Sequence, residues 1–368
     1  MTRALLLGGL LAGLFASPVR GDEIPEKYRD CVRKGLDWLA KNQSKDGHWN
    51  AGTGQYPVAM TALAGLALLM EGSTVRDGKY APNIRRAADW LVNRTQRGGG
   101  RDGLVGNPDN QSEAARYMYG HGFGLLFLAC VYGDEEDRER REQLKDLLTR
   151  AVKYCANAQS KRGGWYYTSA AEGAQSDEGS VTITQVQALR AARNGGIPVN
   201  KEIIKKAYNY LKDCTSPNGA VYYSFTSRME RPAITAAAVA CLFNAGEYKD
   251  ELAKKWLKYC QRTIPFGLGG GAGGLRIGHD EYTHFYFAQC VYMLGDDGWE
   301  KLFGPTPADQ RVTWTAYRNS LFDQLLRTQN QDGSWTSGGG FSVGPVYSTS
   351  MYCFIMQLDK GTLPIVQR

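Results

Sequence analysis

Two kinds of apolar segment alternate along the chain. In the first kind, apolar residues recur every three or four positions, as at Cys31, Leu36 and Leu39, which predicts a helix with one buried and one exposed face. In the second kind, charged residues are almost missing, which predicts helices buried on all sides. These segments are 58–70, 123–132, 181–192, 233–245, 285–294 and 347–358. The alternation therefore predicts six helical hairpins, with the buried helices forming an inner ring inside the amphipathic ones.

A short motif, Gln-x-x-x-Gly-x-Trp, marks the link between the two helices of a hairpin. Complete copies begin at Gln43, Gln159 and Gln329, and weaker copies begin near Gln96, Thr215 and Gln261. Repeats of this size bury their apolar faces only against their neighbours. We therefore expect one closed toroid of six repeats over residues 22–368, and not a set of independent domains.

The first residues have the pattern of a secretory signal. Arg3 precedes an apolar run over 4–16, and Gly21 offers a small residue for cleavage just before Asp22. The run is shorter than the roughly 20 residues that a membrane-spanning helix needs. We expect residues 1–21 to be a signal peptide, and the mature chain to be periplasmic or extracellular, monomeric and without a transmembrane segment.

Charge and cysteine usage narrow the function classes. The formal net charge is +7, and the basic residues lie on the exposed faces of the amphipathic helices, so we expect no nucleic-acid partner. The eight cysteines stand singly along the helices, and no Cys-x-x-Cys pair occurs. We expect most of them to be free, buried and small apolar residues.

The repeated motif resembles that of squalene and oxidosqualene cyclases, and the six hairpins resemble the toroid of triterpene cyclases and protein prenyltransferase β-subunits. The resemblance implies an all-α, α6/α6 toroid over about 28–360, in which the Gln and Trp of each motif tie neighbouring repeats together. The catalytic motifs of that superfamily do not occur in the chain. The cyclase acid Asp-x-Asp-Asp is missing, and Glu230 to Ile234 stand where a prenyltransferase has its Asp-x-Cys zinc ligands.

Each inner helix carries a polar or small residue at a corresponding position. These residues are Thr61, Thr184, Thr235, His284 and Ser350, and His121 lies beside the equivalent Gly122. A recurrent polar position on an otherwise apolar helix predicts that it faces the axis and lines a central cavity. We expect Thr61, Thr184, Thr235 and Ser350 to bind a ligand there, together with Tyr282 and Trp165. The alternative is that Thr and Ser hydroxyls bond to carbonyls of their own helix.

The densest polar group is the run from His279 to His284. Asp280 and His284 are four residues apart, so they share a helical face. Asp280 and His284, with His121, are our catalytic candidates, and His279, Asp280 and His284 are the candidate ligands of zinc or another divalent metal. The alternative is a capping aspartate and a polar lining.

Three functions remain open at this stage. The first is a binding protein for a hydrophobic, isoprenoid-like or peptide ligand, and if it is an enzyme we expect a divergent transferase or isomerase. The second is a hydrolase or lyase acting on carbohydrate through carboxylates such as Asp177 and Glu178. The third is a scaffold without catalysis. An aromatic and aliphatic cavity favours the first, facing carboxylates the second, and a filled axis the third.

Overall fold

The computed structural model describes residues 24–244, 247, 249–265, 280–336 and 343–367. This part of the chain contains thirteen α-helices and, apart from isolated β-bridges, no strand. In chain order they are α1 (Glu26–Lys41), α2 (Pro57–Met70), α3 (Ala81–Arg94), α4 (Tyr117–Asp134), α5 (Arg138–Asn157), α6 (Gly179–Asn194), α7 (Lys201–Asp213), α8 (Pro232–Asn244), α9 (Glu251–Thr263), α10 (Asp280–Leu294), α11 (Gly298–Phe303), α12 (Trp314–Thr328) and α13 (Pro345–Met356).

Six of the helices form a closed inner ring. In order around the ring, α2, α4, α6, α8, α10 and α13 each pack against the next, and α13 packs against α2. The outer helices α1, α3, α5, α7, α9 and α12 pack against this ring, and α11 is a short addition. The predicted α6/α6 toroid is confirmed. The inner helices are nearly free of charge because all their faces are covered by protein.

The inner helices run parallel to one another. Residues at or just before the first turns of α2, α4, α6, α8, α10 and α13 surround one cavity. At the other end of the ring, the chain after α13 passes beneath the helices: the Thr362 hydroxyl donates to the carbonyl of Met70 at 3.1 Å, and Pro364–Val366 packs against α6. One end of the toroid is therefore closed by the chain itself.

The motif residues tie each link to the next outer helix. The Gln329 amide donates to the carbonyl of Cys31 in α1 at 2.8 Å, which joins the last repeat to the first. Gln43 reaches Asn83 and Gln159 reaches Ile203 in the same way, both at 2.9 Å. These bonds confirm the structural role that the family resemblance implied for the motif glutamines.

The motif glycine is required by backbone geometry. Gly333 has φ +94°, and a Cβ there would lie 2.5 Å from the carbonyl oxygen of Lys34 in α1. Gly47 and Gly163 have the same positive φ and meet the backbone of α3 and α7 in the same way. Only glycine allows the link to lie this close to the neighbouring outer helix.

The recurrent polar position faces the links, not the axis. The Trp49 N–H donates to Thr61 Oγ1 at 3.1 Å, and the Val221 N–H donates to Thr235 Oγ1 at 2.8 Å. Equivalent bonds run from Val105 to His121 Nδ1 at 3.2 Å, from Trp165 to Thr182 Oγ1 at 3.0 Å, and from Trp335 to Thr349 Oγ1 at 3.0 Å. Each of these side chains thus accepts a hydrogen bond from a backbone N–H group of a link, outside the helices.

This geometry corrects the expectation that the polar position lines the cavity. In two repeats the residue that accepts the link N–H is Thr182 or Thr349, and the predicted residues Thr184 and Ser350 lie near it in the same helix. The Thr184 hydroxyl donates to the carbonyl of Ser180 in its own helix at 2.9 Å, which is the alternative considered above.

Side chains from different inner helices contact one another inside the ring. The Gln187 amide of α6 donates to Gln289 Oε1 of α10 at 2.8 Å, so these two helices meet across the interior. Phe285 and Phe354 pack with ring centroids 4.8 Å apart. These contacts narrow the interior of the described ring.

Candidate functional site

A cavity of about 250 Å³ lies at the end of the ring where the inner helices begin. Its apolar wall comes from Ala59, Met60 and Leu63 of α2, with Phe123 of α4 and Ile234 of α8. It is slightly smaller than typical ligand pockets, which start at roughly 300 Å³. The shape and lining suit a small apolar molecule or the end of a longer one.

Six tyrosines interrupt this apolar wall. They are Tyr56, Tyr119, Tyr167, Tyr223, Tyr282 and Tyr347. Tyr167 and Tyr223 share a hydrogen bond between their hydroxyls, and the Tyr282 hydroxyl donates to the carbonyl of Ser180 at 3.3 Å. Burial raises the pKa of Tyr119, Tyr282 and Tyr347 well above the ordinary value, so these phenols remain neutral hydrogen-bonding groups.

Two arginines complete the rim. Arg116 directly precedes α4 and Arg231 directly precedes α8. The Arg116 guanidinium lies 4.7 Å from the ring centroid of Tyr167, and the Arg231 guanidinium lies 5.7 Å from that of Tyr223. Because the hydroxyls of Tyr167 and Tyr223 are hydrogen-bonded to each other, the two guanidiniums flank one pair of rings. They present positive charge at the mouth of an otherwise apolar cavity.

Glu178 lies behind this wall as the N-cap of α6. Its carboxylate accepts from the N–H groups of Ser180 and Val181 at 2.8 and 2.9 Å, and from the Tyr119 hydroxyl at 3.2 Å. Burial raises its pKa, while these donors act in the opposite direction. Asp177 accepts from the Ser160 hydroxyl at 3.0 Å. Both carboxylates proposed for hydrolysis are therefore engaged in capping and in holding a link.

The structure separates most of the predicted ligand-binding residues from the cavity. Tyr282 lines it, but Thr61, Thr184, Thr235 and Ser350 are buried outside its lining. Trp165 is also buried, and its indole N–H donates to the carbonyl of Cys155 at 2.8 Å. Its position matches the structural role of the motif tryptophans.

His121 and His284 face the outer layer. His121 accepts the Val105 N–H and packs edge-on against Tyr154, with ring centroids 5.1 Å apart. Complete burial lowers its pKa to about 3, so it is neutral at physiological pH. His284 Nδ1 lies 2.7 Å from the Tyr317 hydroxyl of α12. Neither catalytic candidate lines the cavity.

The predicted metal site is described only in part. Asp280 is the first residue of α10, and His279 lies outside the described residues. Within the described ranges, no group of three or more His, Cys, Asp or Glu side chains is arranged to hold a metal ion. The zinc site stays a prediction. The eight cysteines are all buried and unpaired, as expected for most of them.

Three residues that line the cavity were not among the predicted site residues. Tyr56, Arg116 and Arg231 each stand immediately before the first residue of an inner helix. Tyr56 has φ +54°, the left-handed region, and it is the only such residue other than glycine in the described chain. The usable signal was the position itself, since residues that precede parallel inner helices gather at one end of the ring.

Comparison with known proteins supports the fold. No family profile matches the chain, and no protein with curated annotation matches it. Among solved structures, a variant of the type II terpene cyclase MstE from Scytonema, bound to its substrate geranylgeranyl dihydroxybenzoate, has a TM-score of 0.54 at 14% identity. The match covers 91% of this chain and 97% of that chain.

A second kind of enzyme shares the same architecture. The GH76A α-1,6-mannanase from Salegentibacter sp. HEL1_6 has a TM-score of 0.59 at 10% identity, over 90% of this chain and 98% of its own. The resemblance to terpene cyclases is thus confirmed as a shared α/α-toroid fold. Because the mannanase has that fold too, function must be argued from the cavity.

Proposed function

We propose that the protein is an exported α/α-toroid that binds a small, predominantly apolar ligand in the mouth cavity. The observation that carries the proposal is the cavity of about 250 Å³, walled by aliphatic side chains and tyrosine rings. An isoprenoid-like or other hydrocarbon body suits this wall, because burying apolar surface contributes roughly 25 cal/mol per Å². Within the described residues, no helix is long and apolar enough to cross a bilayer.

The two structural neighbours act on different kinds of substrate, and the lining of the cavity favours an apolar ligand over a carbohydrate. The terpene cyclase acts on geranylgeranyl dihydroxybenzoate, which carries a long apolar chain. The residues lining the cavity in the described chain include aromatic, aliphatic and basic side chains but no carboxylate. A carbohydrate hydrolase would need a carboxylate pair at the substrate. The lining therefore supports an apolar ligand.

The test is the binding of a neutral apolar probe. The fluorescent dye N-phenyl-1-naphthylamine should bind the wild-type protein with increased emission. Ala233 lines the cavity at the start of α8, so Ala233→Phe places a ring into the space and should weaken dye binding at least about tenfold. Ala316 on the exposed face of α12 provides the matched control.

Ala316→Phe adds the same ring far from the cavity lining and should bind the dye as the wild type does. Circular dichroism and melting temperature should show that both variants are folded. If the wild type does not bind the dye, or if Ala233→Phe binds it equally well, the proposal is wrong.

A further inference from the structure

The cavity has a charged edge that an entirely apolar ligand would leave unused. Arg116 and Arg231 both line the cavity, and each guanidinium lies over a tyrosine ring that lines it as well. The bond between the Tyr167 and Tyr223 hydroxyls makes these four side chains one continuous group, which we call the Arg–Tyr rim.

Neither arginine of the rim has a carboxylate partner among the described residues. Glu113, three positions before Arg116, instead forms an ion pair with Arg94 and accepts a hydrogen bond from the N–H of Asn107 at 2.7 Å. Glu178, the buried acid behind the wall, is occupied by α6 and Tyr119. Two cations thus flank one ring pair and neither is ion-paired in the described part of the chain, while the buried carboxylate of Glu178 is near enough for its charge to act on both rings.

The tyrosine rings hold the guanidiniums in place. Stacking on a ring fixes the plane of an arginine side chain and lowers the entropy lost when it binds a ligand. A planar guanidinium presents paired N–H donors that match the oxygens of a carboxylate or phosphate. The rim therefore has the donor set of an anion site, directly adjoining an apolar cavity.

We propose that the ligand is an amphipathic anion, whose apolar body fills the cavity and whose carboxylate or phosphate head binds the Arg–Tyr rim. This inference rests on the proposed function, and it adds the chemistry of the head group. One of the hydroxyls of Tyr167 and Tyr223 donates to the other, so the remaining O–H of the pair serves as an additional donor to the same head.

Three ligands with the same ten-carbon chain test the inference by isothermal titration calorimetry: decanoate, decyl phosphate and decanol. At least one anion should bind about tenfold or more tightly than decanol, because charge-assisted hydrogen bonds add to the same apolar burial. Whichever anion binds more tightly identifies the head group as carboxylate or phosphate.

Variants locate the head group. Arg116→Gln and Arg231→Gln should each weaken anion binding about tenfold and weaken decanol binding much less. Arg162→Gln is the matched control: Arg162 is an exposed arginine over Phe225, 4.5 Å from its centroid, and is not part of the lining. It should change neither ligand's affinity.

The failures are distinguishable. If decanol binds as tightly as both anions, or if the rim variants weaken decanol and the anions equally, the inference is wrong and the apolar site remains. If none of the three ligands binds, the proposed function is wrong as well.

Discussion

The motif tryptophan Trp335 is a buried side chain whose contribution to stability can be measured directly. The indole is 1% exposed, and its N–H donates to the carbonyl of Leu325 at 2.9 Å. Its ring packs edge-on against Tyr352, and a Cβ added to Gly35 of α1 would lie 2.8 Å from the indole. Trp335 therefore fills the seam where the last repeat meets the first.

Two substitutions separate its packing from its hydrogen bond. Trp335→Ala should lower the free energy of unfolding by about 3–5 kcal/mol, because truncating a buried aromatic leaves a cavity that the backbone of α1 cannot fill. Trp335→Phe retains a ring and loses the indole N–H, so its expected cost is smaller, about 1–3 kcal/mol, which includes the unpaired carbonyl of Leu325.

Trp38 of α1 is the matched control. It is half-buried, and its indole N–H donates to Asp332 at 2.9 Å near the surface, so Trp38→Ala should cost less than Trp335→Ala. Urea unfolding followed by far-ultraviolet circular dichroism measures all three variants. A Trp335→Ala variant within about 1 kcal/mol of the wild type would show that the motif tryptophan does not hold the ring together.

Three further predictions concern the glycines and histidines. Gly163→Ala places a Cβ 2.3 Å from the carbonyl oxygen of Lys206, whereas Gly173→Ala, at a similar positive φ, meets nothing within 4 Å. Urea unfolding should give about 1–2 kcal/mol for Gly173→Ala and a larger loss for Gly163→Ala, and equal losses would refute the close approach of link and helix. The His121 pKa is lowered from 6.5 to about 3, so the unfolded chain takes up a proton first and stability falls as pH drops below about 6.5. Unfolding at pH 6.5 and 5.0 should show about 2 kcal/mol less pH-dependent loss in His121→Gln than in the wild type, and parallel losses would contradict a buried neutral imidazole. His284→Ala removes one hydrogen-bond partner of the buried Tyr317 hydroxyl and should cost about 1–3 kcal/mol without altering metal content, measured by unfolding and by elemental analysis. Loss of a bound metal with unchanged stability would support the predicted metal site.

The fold could be predicted from the sequence because its repeats carry strong local signals. Helices with almost no charge and the Gln-x-x-x-Gly-x-Trp links are visible in the order of residues. Gln43 and Trp335 play the structural roles that the resemblance implied, and Gly163 lies against the neighbouring outer helix. The weaker link at Gly219 follows the same geometry, since a Cβ there would lie 2.9 Å from the backbone of Lys255.

The sequence did not show whether the recurrent polar side chain of each inner helix faces the axis or a link. A buried threonine on an apolar helix satisfies the pattern equally well whether it faces the axis or a link, since both surfaces are buried from water. Thr61 and Thr235 face the links because the buried N–H groups of Trp49 and Val221 need acceptors. The sequence shows the polar side chain but not the backbone group that it satisfies.

The rim of the cavity was missed for a related reason. Arg116 and Arg231 lie more than a hundred residues apart in sequence, and each resembles an ordinary solvated arginine beside a helix start. They are connected through the hydrogen bond between Tyr167, in the link before α6, and Tyr223, in the same link as Arg231. Such a group depends on how three consecutive repeats pack, which no local pattern encodes.

The central claim is that the mouth cavity holds an amphipathic anion in the working protein. Native mass spectrometry of the protein, purified without detergent from the cells that make it, tests this claim most directly. We predict a bound small molecule that is released on unfolding, carries a carboxylate or phosphate on an apolar body, and is lost from Ala233→Phe but retained by Ala316→Phe. A bound molecule that is neutral or sugar-like, or one that Ala233→Phe retains in full, would contradict the account.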